Sequence, residues 1–353
     1  MLTYLSNEND FQFHIRKGQG GIVKNRLLGK LAFAAMSCLL VFSLASCGKA
    51  APANEEAKQS ETKTIYTTFF PVYDLTKLIA GDKADIKMII KGSEEPHSFE
   101  LNPAQMADIV KADLIIYNGA GMESFVPDLK NACNDDDKFL DLSQGLTLLE
   151  SDHSDHDHEH EKSDAHDKSN GQDDADHSSV NPHTWLSIKN AEVELDTIYK
   201  KLCSIDPANK DYYKENLEKA LPKFKELDKK FADQISRVDQ DKRYFVVSHA
   251  AFNYLAHDYG LEQVAVTGIS PEDEPSAKQL KTIADFVKKH DITTIFFEGK
   301  ATPKVARTLA ENTQTKTDTI YTMENLTDEE ASWGYVKLME KNLEALMKSF
   351  ETK

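Results

Sequence analysis

From Thr64 onward, short apolar runs alternate with amphipathic stretches. Thr64–Thr68 reads as a strand, Val72–Ala80 as a helix closed by Gly81, and Ile86–Ile90 as a second strand. Pro103–Lys111 follows as a helix, Leu114–Tyr117 as a strand and Met122–Ala132 as another helix. The same rhythm returns later, with strands at Tyr244–Ser248, Gln263–Val266, Thr294–Phe297 and Thr319–Tyr321. Between and after them, helices are expected at Ala250–Tyr259, Ser276–His290, Pro303–Glu311 and Ser332–Phe350. Strands alternating with helices imply βαβ units and mostly parallel sheets.

Two segments interrupt this order. Residues 151–178 hold six His, ten Asp or Glu and no apolar side chain larger than alanine. Nothing there can offset the entropy lost on ordering, so a disordered loop is expected. Structure should resume at Pro182, with a helix from Ile188 to about Cys203. Then Pro207–Val238 places Tyr213, Leu217, Leu221, Phe224, Leu227, Phe231 and Ile235 three or four residues apart, one narrow stripe on a long charged helix. Pro222 should kink or locally open it. The expected fold is therefore α/β, two βα lobes joined by a long linker helix. The lobes would span 64–205 and 241–353, with the linker at 206–240.

The first 63 residues read as targeting and tether. Basic residues precede an apolar run from Leu31 to Ala45, short for ~30 Å of hydrocarbon and suited to a signal-peptide core. It ends in Leu44-Ala45-Ser46-Cys47-Gly48, which looks like a bacterial lipobox. That resemblance implies a leader over 1–46, lipidation of Cys47 and attachment to the outer face of the cell membrane. Residues 47–63 read as a flexible tether. Some 25 residues precede the usual basic segment, so Val23 is the expected true start.

The formal charge of the chain is −17. Residues 1–46 hold five basic and two acidic side chains, so the remainder carries −20. Such a body repels phosphate backbones, which argues against nucleic acid as a partner, and it suits cations. Beyond the leader, Cys133 and Cys203 remain; export permits a disulfide between them, and two buried thiols fit equally.

Three histidines stand where strands end or helices begin: His97, His183 and His249. In open α/β sheets, ligands bind beyond the carboxyl ends of strands, and imidazoles drawn from both lobes would set a metal site in the cleft between them. Zinc favours neutral imidazole with carboxylate or thiolate, four ligands in a tetrahedron. A histidine at one such position is more often solvated or packed than ligating. The flanking sequences change the balance. Glu95-Pro96-His97-Ser98-Phe99-Glu100, Asn181-Pro182-His183-Thr184-Trp185-Leu186, Ser248-His249-Ala250-Ala251-Phe252 with Tyr259-Gly260-Leu261, and Gly268-Ile269-Ser270-Pro271-Glu272 with Glu274-Pro275-Ser276 occur in this order. Together they resemble the metal receptors of ABC importers, in the zinc (ZnuA/AdcA-like) branch, from Thr64 to the C-terminus.

The resemblance implies that His97, His183 and His249 bind Zn²⁺ as cargo. For a fourth ligand it points to Glu298, in Ile295-Phe296-Phe297-Glu298-Gly299, with water or Glu95 as the other possibilities. It also implies an ABC permease and its ATPase subunit as partners, and a monomeric receptor. Trp185 and Phe252 are expected to pack behind ligands. The loop histidines His153, His156, His158, His160, His166 and His177 alternate with Asp and Glu, a pattern suited to several weak, labile sites for Zn²⁺, Cu²⁺ or Ni²⁺.

Three other functions compete. A manganese or iron receptor of the same fold would carry a carboxylate where His249 stands, because hard oxygen ligands suit Mn²⁺. A zinc hydrolase would need a general base beside metal-bound water, and the chain has no His-Glu-x-x-His helix. A zinc-dependent adhesin could share the fold.

Overall fold

The computed structural model describes residues 62–92, 94–151, 180–298 and 304–351. The leader, Val23, Cys47, most of the tether and the six loop histidines lie outside the described residues. The described residues all fall in one compact unit.

The first sheet contains β1 (Lys63–Thr67), β2 (Ala84–Met88), β3 (Leu114–Tyr117) and β4 (Phe139–Asp141), in the order β2-β1-β3-β4 and all parallel. The second contains β5 (Tyr244–Val247), β6 (Glu262–Ala265), β7 (Thr294–Glu298) and β8 (Lys316–Ile320), ordered β6-β5-β7-β8 and again all parallel. The two halves thus repeat one topology. Central β3 reads Leu-Ile-Ile-Tyr and is buried at every position, as a parallel strand covered on both faces requires.

Helices α1 (Phe70–Ala80), α2 (Pro103–Ile109), α3 (Val126–Cys133) and α4 (Ile188–Ile205) belong to the first half. Their starts follow local chemistry. Asn102 and Gln105 form a capping box at α2, with Pro103 as its first residue, and the Ser187 hydroxyl accepts from Asn190 N–H at α4. The long helix is α5 (Lys210–Ile235), continuous through Pro222. Six of its seven stripe residues are buried, and Leu221 is partly covered. It packs against α1 and α4, and also against α6 (Asn253–Tyr259) and α10 (Gly334–Ser349). The thin stripe suffices because the helix lies along the body. Helices α7 (Ala277–Lys289), α8 (Lys304–Thr313) and the single turn α9 (Asp328–Ala331) complete the second half.

The departures from the sequence reading have local causes. Strand β4 has only three residues, too few for a periodic signal. Strand β8, Lys-Thr-Asp-Thr-Ile, is a polar edge strand, so only its last residues looked like a strand. Helix α3 starts at Val126 rather than Met122 because Gly119, Ala120 and Gly121 all take positive φ ahead of it. Residues 248–252 form a loop rather than the first turn of α6. Cys133 and Cys203 are free.

Candidate metal site

His97, His249 and Glu324 lie on loops beyond strand ends, and His183 precedes a helix. His97 sits in a short turn, Pro96–Ser98, after β2. His183 opens another short turn, Thr184–Leu186, ahead of α4. His249 lies two residues past β5, and Glu324 four residues past β8.

Their donor atoms converge. His183 Nε2 lies 3.2 Å from His97 Nε2 and 3.3 Å from His249 Nε2. Glu324 Oε1 is 2.9 Å from His97 Nε2 and 3.2 Å from His183 Nε2, and its Oε2 is 3.4 Å from His249 Nε2. Zinc bonds of about 2.0–2.1 Å in a tetrahedron put neighbouring donors about 3.4 Å apart. All four donor groups lie within 4.8 Å of one another, close enough to gather around one ion of that size. His183, His249 and Glu324 are buried, while the His97 side chain keeps 11% of its exposure.

The tautomer of His183 follows from its neighbours. Asn181 Nδ2 donates to the carbonyl of Ala250 at 2.7 Å, which turns Asn181 Oδ1 toward His183. That oxygen accepts from His183 N–H at 3.0 Å and lies 2.8 Å from Nδ1. Nδ1 must then carry the proton, leaving the Nε2 lone pair facing the cluster. Trp185 packs with its ring 5.2 Å from that of His183 and 4.9 Å from Phe69. Phe252 is wholly buried.

Glu298 stands elsewhere. It ends β7, next to β5 in the sheet, and its Oε1 lies 3.1 Å from His249 Nδ1, on the side of the ring away from the cluster. Its other oxygen accepts from the Ser248 hydroxyl. The position expected for Glu298 among the converging donors is taken by Glu324 instead. The signal for Glu324 was in the chain, a carboxylate just past a strand of the second series, but Glu298 carries the same signal. Glu95 also stays out of the cluster, accepting from His97 N–H and Asn325 Nδ2.

Burial and charge divide the protons unequally. Burial lowers His183 to about 4, against the partial pull of Glu324, so the ring is neutral at pH 7. Burial also opposes charge on His249, but the Glu298 and Glu324 carboxylates outweigh it and raise the ring to about 10. Burial would raise Glu324 as well; His183 and His249 overcome that and hold it well below the usual carboxylate range. His249 is thus held in its charged form between two carboxylates. A cation replacing the ring's proton meets carboxylates already ionised.

Two other histidines are remote in character. His257 is exposed on α6, and His290 caps α7 with its ring stacked on Phe286 at 4.2 Å. Among the described residues, no helix is long and apolar enough to cross a membrane.

Comparison with known proteins places this geometry in context. The family described as "Zinc-uptake complex component A periplasmic" matches residues 65–349. The high-affinity zinc uptake system protein ZnuA of Bacillus subtilis (strain 168) is 36% identical over 324 residues, 91% of this chain and 97% of its own length. The crystal structure of the Zn(II)-bound ZnuA-like domain of Streptococcus pneumoniae AdcA is 34% identical and superposes with a TM-score of 0.67, covering 82% of this chain and 99% of that one. The laminin-binding protein Lmb of Streptococcus agalactiae, described as bifunctional with adhesin and metal-transporting activity, is 30% identical with a TM-score of 0.68 over 82% of this chain and all of its own.

Proposed function

Because the chain belongs to the family of zinc-uptake complex A components, we propose that it is an extracytoplasmic receptor that captures Zn²⁺ and delivers it to an ABC-type importer. The observation that carries this reading is the meeting of three imidazole Nε2 atoms and the Glu324 carboxylate within 4.8 Å of one another. His97, His183, His249 and Glu324 are the four ligands. Glu298 holds His249 from behind, a carboxylate–histidine–metal arrangement that raises ligand basicity and orients the ring.

The ligand chemistry favours zinc over manganese, since three nitrogens and one carboxylate suit a borderline ion better than a hard one. It also argues against hydrolysis. Four protein ligands complete a tetrahedron, whereas a catalytic zinc keeps one position for water. The lipid anchor on Cys47, the permease and ATPase partners and the monomeric state belong to the same reading. Adhesion is a second reading, favoured by the likeness to Lmb, and immobilised laminin would test it. Titration of the mature protein with Zn²⁺ against Mn²⁺ tests the first: one tight site with a clear preference for zinc is expected. Equal affinities, or none, would overturn it.

A further inference from the structure

The segment that carries Glu324 is irregular, and it is held from two sides. At its root, buried Asn342 bonds both backbone groups of Tyr321 at 2.8 Å, and Trp185 Nε1 donates to the carbonyl of Thr322 at 2.7 Å. Trp185 is fixed in turn by Tyr335, whose hydroxyl donates to its carbonyl at 2.6 Å. Of these five residues, all but Tyr321 are buried. Then comes Met323, buried and left-handed at φ +67°, a conformation that side-chain-bearing residues rarely adopt.

Beyond Glu324 the hold is at the rim. Asn325 Nδ2 donates to Glu95 Oε2 at 2.8 Å, and Glu95 Oε1 accepts from His97 N–H at 3.3 Å. One carboxylate therefore joins the loop that carries His97 to the loop that carries Glu324. The two backbones are close enough here that a Cβ at Gly92 would stand 2.5 Å from the carbonyl oxygen of Leu326. Glu95 and Asn325 are only half-buried, unlike the root. His97, on the same side, is the most exposed of the four ligands.

We propose that the Glu95–Asn325 hydrogen bond is a latch between the two loops, and that it sets how fast the metal leaves the cleft. Glu95 is a positioning residue that does not touch the ion. With the latch closed, Glu324 is pressed against His97 and the cluster is covered. With it broken, the root stays in place, and rotation about Met323 swings the carboxylate toward solvent. The ion is then held by imidazoles alone, the weakest-covered of which faces water. This inference rests on the zinc reading above.

The test follows zinc release from loaded protein into excess chelator. Asn325→Ala and Asn325→Asp break the latch, the first without changing charge and the second by setting two carboxylates against each other. Each should release zinc about tenfold faster, the loss of one good hydrogen bond. The double variant Glu95→Gln with Asn325→Asp exchanges amide and carboxylate: the new amide donates across the gap and accepts from His97 N–H. It should return to within about threefold of the native rate, as restoring one hydrogen bond requires. A native release rate in Asn325→Ala, or a double variant as fast as Asn325→Asp, would overturn the latch. If Asn325→Asp does not fold, Asn325→Ala and the double variant still decide. Should the native protein itself retain no zinc, the receptor reading fails instead, which keeps the two outcomes apart.

Discussion

Glu298 Oε1 lies 3.1 Å from Nδ1 of His249, while Nε2 of the same ring faces Glu324 at 3.4 Å. One imidazole thus separates two carboxylates, and the side it turns to each assigns them different work. The Nδ1 and Oε1 atoms are buried without an aligned hydrogen bond.

The two carboxylates should therefore separate on mutation. Glu298→Gln is expected to weaken zinc binding by about 10- to 100-fold, the usual cost of losing an outer partner of a ligating histidine. Glu324→Gln or His183→Ala, each removing a ligand, should cost more than about 100-fold. Competition titration against a chelator of known affinity checks this. Equal losses at 298 and 324 would sink the division of roles.

Proton release gives a second outcome. His249, at about 10, holds a proton at pH 7 that zinc must displace, whereas His183, at about 4, has none to lose. Zinc affinity should fall about tenfold per unit as pH drops between roughly 9 and 5, with about one proton released per ion bound at pH 7. Calorimetry in buffers of different ionisation enthalpy counts that proton. A flat affinity across this range would contradict it.

Stability without metal should respond to pH through Glu194. This carboxyl is buried on α4, with the Thr184 hydroxyl 3.4 Å away, and burial raises it to about 8. The folded chain keeps its proton up to about pH 8, while the unfolded chain loses it near 4.5. Its contribution is fully present below about 4.5 and is lost as pH rises toward 8, at up to about 1.4 kcal/mol per unit. Glu194→Gln should raise the thermal midpoint at pH 8 more than at pH 5. An identical shift at both would show that Glu194 titrates normally.

The His-rich segment should be removable. Glu150 pairs with Val180, and Asn181 N–H donates to the Leu149 carbonyl at 2.9 Å, so the two ends of the segment already meet. Deleting Asp152–His177 should leave one tight zinc site with affinity within about threefold, and remove additional weak sites expected from clustered imidazoles. Loss of the tight site in calorimetry would show that a loop histidine completes it.

Much of this could be read along the chain, for a physical reason. Short apolar runs and stripes at three and four residues report what is buried, so the βα order and the long helix at Lys210–Ile235 were visible without coordinates. So were His97, His183 and His249, because their flanking motifs are local. What only the tertiary structure decided was which carboxylate meets the three imidazole Nε2 atoms, Glu324 rather than Glu298. Both are carboxylates at or just past the ends of strands of the second half, and nothing local distinguishes them. The strand order seats β7 beside β5, which sends Glu298 behind His249. The edge strand β8 instead leads into a loop pinned by Trp185 and turned at a left-handed Met323, which brings Glu324 back over the cleft. That arrangement depends on contacts between residues 137 and 230 positions apart in sequence, Trp185 with Thr322 and Glu95 with Asn325, and no periodicity along one chain records them.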